Sequence, residues 1–111
     1  LQGVAECCRK ELRGVDVTGR YGGDEFVAML PETGLTAACQ VGERLRKCIA
    51  ERVLDTKVGR VMVTVSLGVA ALVDEQLTPE ALFDRADQAL YVAKQKGRNR
   101  VWSQFGAFPE A

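Results

Sequence analysis

The sequence predicts an α+β domain: a mixed, mostly antiparallel sheet flanked by helices. Three observations lead there. Two β-rich stretches surround a Gly-Gly pair, apolar residues recur at three-to-four spacing in three segments, and a valine-rich alternating run lies between the second and third of these. The expected order is helix–strand–strand–helix–strand–helix–strand.

The first segment, "LQGVAECCRKELR", sets Leu1, Val4, Ala5, Cys8 and Leu12 on one stripe with charges between them, which predicts an amphipathic helix. It opens mid-pattern, with no cap and no starting methionine, so the natural chain is expected to begin further upstream. "VDVTGRYGGDEFVAMLP" follows, with strands expected at about 15–20 and 25–30 around Gly22 and Gly23. From 34 to 53, Leu35, Ala38, Cys39, Leu45, Cys48, Ile49 and Val53 mark a second helix. "RVMVTVSLGVAAL" (60–72) reads as an interior strand, with Val61, Val63, Val65, Leu67 and Val69 on one face. "TPEALFDRADQALYVAKQKG" carries its own punctuation: Thr78 to cap, Pro79 in the first turn, Gly97 to stop. Its buried face is expected to be Leu82, Ala86, Ala89, Leu90 and Ala93. "NRVW" is a short last strand. The domain is therefore expected over 1–103, with 104–111 as a tail or linker, and the thin sheet is expected to lack a strand.

The 111 residues are 47% hydrophobic and 27% charged, the composition of an ordinary folded domain rather than a disordered chain. Fifteen basic residues balance fifteen acidic ones, so no net field draws the chain to a nucleic acid polymer or an anionic membrane. No apolar run is long enough to span a bilayer. There is no histidine, which removes the commonest zinc ligand and the usual neutral-pH base. Cys7, Cys8, Cys39 and Cys48 show no CxxC spacing and read as small buried side chains in a reducing cytoplasm rather than as bridges or metal ligands. The expected location is cytoplasmic, although an upstream segment could anchor the parent protein to a membrane.

Three clusters could carry chemistry. Asp24 and Glu25 follow two glycines at the hairpin tip, where carboxylates suit a hard cation such as Mg²⁺ and bare backbone admits a nucleotide; a solvated acidic turn has the same composition. Successive strand side chains point to opposite faces, so a further carboxylate from elsewhere is expected if two metal ions are held. Lys94 and Arg98 lie one helical turn apart and could face one anion, or could neutralise the helix dipole. Arg13 and Asp16 form either a surface ion pair or a guanine site.

Taken together, "GRYGGDEFVAMLP", "ERLRKCI", "VTVSLGVA" and "RADQALYVAKQKGRNRV" resemble, in order and spacing, the blocks of GGDEF domains, the diguanylate cyclases that make cyclic di-GMP. The resemblance covers nearly the whole chain and implies the family's nucleotide-cyclase, palm-like fold without its first strand and helix. It implies that Gly22 and Gly23 line a GTP site and that Asp24, with Glu25, holds Mg²⁺ or Mn²⁺, Asp24 also serving as base. Lys94 and Arg98 would clamp the terminal phosphates. Arg13 and Asp16 would be the inhibitory RxxD site, nine and six residues before the first signature glycine, with Arg44 as a second product contact. The family's other metal aspartate and guanine-reading Asn and Asp belong to the absent upstream segment, so this piece alone is expected to be inactive. The parent would condense two GTP as a homodimer, under a sensory or regulatory domain upstream. The alternative implied is a non-catalytic module that binds GTP or cyclic di-GMP.

Overall fold

The computed structural model describes residues 2–12, 17–21, 25–72 and 77–109. Three helices and seven short strands run in the order α1 (Gln2–Glu11), β1 (Val17–Tyr21), β2 (Glu25–Met29), α2 (Leu35–Ala50), β3 (Val53–Thr56), β4 (Gly59–Met62), β5 (Leu67–Val69), α3 (Pro79–Gln95), β6 (Val101–Ser103) and β7 (Gly106–Phe108). The α+β class follows as expected.

The expected hairpin is present: β1 and β2 pair antiparallel from Val17↔Met29 to Tyr21↔Glu25. A three-stranded sheet, β5–β6–β7, forms the centre of the packing. β5 and β6 run parallel, as strands joined through a helix do, and β6 turns back antiparallel into β7. Helices cover both faces of β5. A Cβ added to Gly42 of α2 would touch the side chains of Leu67, Val69 and Val101, so α2 lies over that face. Gly68 points the other way, directly into the backbone of α3 at Ala86 and Leu90. Val101, Cys39, Ala89 and Ala93 are buried in these two interfaces. α1 packs on α2 instead, where Cys7, Leu45 and Ile49 make a second core cluster flanked by Cys8, Leu12, Val41, Cys48 and Val65.

α3 begins and ends as its sequence dictates. The Ala81 amide donates to Thr78 Oγ1 at 3.1 Å, and Pro79 occupies the first turn, where its missing N–H costs nothing. Gly97, at φ +119°, ends it.

Three expectations are corrected. The run 60–72 is not one interior strand. Its first part pairs back onto Val53–Thr56 as a hairpin, and only Leu67–Val69 enters the central sheet. The turn is set by Gly59 at φ +120° and by the Thr56 hydroxyl, which donates to Gly59 O at 2.7 Å and accepts from the Val58 amide. Val58 and Met62 consequently stand in solvent, 90% and 63% exposed. Within the segment expected as a tail, residues 106–108 form β7. Cys7 and Cys48 are joined by a disulfide from α1 to α2, their Cα atoms 6.0 Å apart, whereas Cys8 and Cys39 are free thiols. The buried stripe of α1 thus includes Cys7, one position away from the expected Cys8.

Candidate nucleotide site

The hairpin closes with Tyr21 opposite Glu25, at the end where the glycine-acid signature falls. Gly22, Gly23 and Asp24 lie outside the described residues, as do Arg13 and Asp16. The backbone of Glu25 begins β2. Three of the singled-out side chains are described: Arg44, Lys94 and Arg98.

Lys94 is half-buried in the last turn of α3. In that turn a cation also offsets the negative end of the helix dipole, so this position serves either reading. Arg98 is different. It stands beyond the helix end, exposed, and its amide donates back to Ala93 O at 3.0 Å. That bond reaches across the left-handed Gly97 and is the six-to-one link of a Schellman cap. The backbone remains left-handed afterwards: φ is +63° at Arg98 and +48° at Asn99. At Arg98 this costs on the order of 1–2 kcal/mol, and less at Asn99, whose residue type tolerates it, so the turn needs support from its surroundings.

The support is visible. The Asn99 amide donates to Ser66 Oγ at 3.1 Å, and Arg100 Nε donates to Arg98 O at 3.0 Å. From α2, Arg46 Nη1 donates to Asn99 Oδ1 at 2.9 Å. Glu43 grips the same guanidinium with both oxygens, at 2.6 Å to Nε and 3.0 Å to Nη2. The hydrogen bond from Arg46, with the attraction of its charge, holds the Glu43 carboxyl below its usual range and raises Arg46 further.

Arg44 faces the opposite way along α2. Its Nε donates to Glu11 Oε2 of α1 at 3.1 Å, and its side chain is 54% exposed. A second ion pair, Glu6–Arg52, also spans α1 and the end of α2. The expected inhibitory-site arginine is therefore tied to the helix that leads into Arg13 and Asp16. Burial raises both free thiols, Cys8 and Cys39, with Arg9 only partly opposing this at Cys8.

Among the described residues, no group of three or more Cys, Asp or Glu side chains could hold a metal ion. The chain's candidate donors are Asp24 and Glu25, hard carboxylate oxygens adjacent in sequence at the strand entrance. Their chemistry suits Mg²⁺ or Mn²⁺, but only as a partial ligand set that phosphates and another carboxylate must complete.

A β-hairpin, a central sheet covered by helices on both faces and a helix ending in cations make an α+β domain. The chain belongs to the family described as "Diguanylate cyclase, GGDEF domain", whose model matches residues 1–100. It is 38% identical over 111 residues to "Diguanylate cyclase A" of Treponema denticola, covering 100% of this chain and 30% of that protein. It is 45% identical over 92 residues to "Response regulator PleD" of Caulobacter vibrioides, covering 81% and 20%. The fold is similar to the crystal structure of the GGDEF domain of DgcB from Caulobacter crescentus in complex with c-di-GMP: TM-score 0.86 and 28% identity over 95% of this chain and 63% of that one. The chain spans less than a third of these curated relatives' length. No described helix is long and apolar enough to cross a membrane.

The Arg46–Asn99 link escaped the sequence reading. The partners are 53 residues apart, and only Asn99, a residue type that tolerates left-handed backbone, hints that the chain stays left-handed after Gly97.

Proposed function

We propose that the chain supplies one half-site of a diguanylate cyclase, and that its parent condenses two GTP into cyclic di-GMP and pyrophosphate. The observation that carries this is the family match over residues 1–100, which includes an intact "GGDEF" signature; damaged signatures are what a purely regulatory module would tolerate.

Gly22 and Gly23 lack Cβ atoms and let the nucleotide lie against the backbone. Lys94 and Arg98 hold the terminal phosphates and take up the charge that grows on departing pyrophosphate. Asp24 accepts the proton of the attacking 3′-hydroxyl. A divalent ion bound by Asp24 and Glu25 would make that hydroxyl more acidic and offset phosphate charge. The 3′-oxygen of one GTP attacks the α-phosphorus of the other, the bond to the bridging oxygen breaks, and pyrophosphate leaves. The same exchange in the reverse sense closes the ring, so a two-fold product requires two copies facing each other. Product retained by Arg13, Asp16 and Arg44 would keep the copies apart and inhibit turnover.

The test uses the parent protein with GTP and Mg²⁺. Asp24→Ala is expected to abolish synthesis while sparing binding of cyclic di-GMP. Wild-type protein that binds cyclic di-GMP yet makes none is instead a receptor, and the cyclase reading fails.

A further inference from the structure

The turn that displays Arg98 is strained, and Arg46, a side chain with three hydrogen bonds, helps to hold it. Three successive residues, Gly97, Arg98 and Asn99, have φ of +119°, +63° and +48°. Asn99 tolerates that region, but Arg98 is an ordinary side chain with no local reason to enter it. Such a conformation persists where neighbours over-determine it. Ser66, beside β5, holds the Asn99 amide, and the Asn99 side chain is held from a separate helix: Arg46 of α2 donates through Nη1 to its oxygen.

Arg46 is unusually well suited to that task. Its side chain is only 17% exposed, and Glu43, one helical turn before it, takes Nε and Nη2 together. A bidentate carboxylate leaves the guanidinium no freedom to rotate, so Nη1 is aimed at a fixed point. That point is the residue next to Arg98. A plain surface ion pair would have no reason to reach Asn99, and a helix stop would be complete with Gly97 alone.

We propose that Arg46, oriented by Glu43, is a positioning residue that holds the Arg98 turn in its phosphate-facing geometry through Asn99. This rests on the reading of Arg98 as a contact to the terminal phosphates of GTP. The strut sets affinity for a nucleoside triphosphate and leaves a monophosphate untouched, because only the terminal phosphates reach the turn.

The experiment measures equilibrium affinity of the parent protein for a non-reacting GTP analogue and for GMP. Asn99→Gly is the chief variant, because glycine keeps the left-handed backbone and removes only the strut's handle. Asn99→Gly and Arg46→Ala are each expected to weaken the triphosphate about tenfold, as loss of one charge-assisted contact would, with GMP unchanged. The two together are expected to do no more than either alone. In an Arg98→Ala background, where the triphosphate is already weakened, Asn99→Gly is expected to add nothing. If Arg98→Ala weakens the triphosphate but Asn99→Gly and Arg46→Ala do not, the strut is refuted and the phosphate reading stands. If Arg98→Ala itself changes nothing, the reading beneath the proposal fails. Equal weakening of GMP and triphosphate would show a general structural role and also overturn the proposal.

Discussion

Gly68→Ala should damage both stability and turnover, because α3 rests on β5 with nothing between them. An ideal Cβ on Gly68 would lie 2.8 Å from Leu90 Cα, and nearer still to Ala86 O and Leu90 N. All three are backbone atoms, so no side chain can rotate away. Ordinary contact begins at 3.4 Å, which requires a separation of at least 0.6 Å at Leu90 and more at the other two. Overpacking of this kind costs about 1–3 kcal/mol, and a domain of this size loses about 4 °C of midpoint for each kcal/mol. A drop of about 4–12 °C in calorimetry is therefore expected. Lys94 sits one turn beyond Leu90 and Arg98 follows it, so the lifted helix carries the proposed phosphate contacts with it. Misplacement of about 1 Å at a reacting site can cost about a hundredfold. Turnover of GTP by the parent should fall between tenfold and a hundredfold, on the order set by that displacement. An unchanged midpoint with unchanged turnover would refute the claim that α3 is set by backbone contact at Gly68.

Four further outcomes follow from other parts of the molecule. Gly34 caps α2 at φ −76° and ψ 173° with no side-chain hydrogen bond and open space around it, so Gly34→Ser should stabilise by about 0.5–1 kcal/mol in urea unfolding. Reduction of the protein, or Cys48→Ser, removes a cross-link spanning 41 residues, and the chain-entropy estimate is a loss of about 4 kcal/mol, read as a midpoint about 15 °C lower. Reductant should have no effect on the Cys48→Ser variant. Glu43 is held below its ordinary value of 4.5, chiefly by the hydrogen bond from Arg46, so its contribution is full above that value and fades as the pH falls through the lower folded one. The stability gap between wild type and Glu43→Gln should accordingly shrink as the pH falls below 4.5.

What was legible in the sequence was local. Thr78, Pro79 and Gly97 act on their own neighbours, so the ends of α3 could be placed from residue type alone. The β1–β2 hairpin was legible too, from two β-rich stretches close in sequence. The β3–β4 hairpin was not, because its turn hides a valine at the tip and its valines resemble those of a buried strand; only the Thr56 hydroxyl and the left-handed Gly59 show why the chain reverses there. Pairings between distant elements were equally hidden. Cys7 and Cys48 meet because α1 lies on α2, and Arg46 meets Asn99 because α2 and the end of α3 share the β5–β6 sheet. Of the candidate site, the cations at the end of α3 could be named from spacing, but the left-handed backbone that displays Arg98 could not.

Pyrophosphate release is the most direct measure of the central claim, that this chain builds half of a site joining two GTP. The parent protein should release two pyrophosphates for each cyclic di-GMP formed, at a rate rising more steeply than protein concentration. Release of inorganic phosphate with GDP, or no consumption of GTP at all, would contradict it.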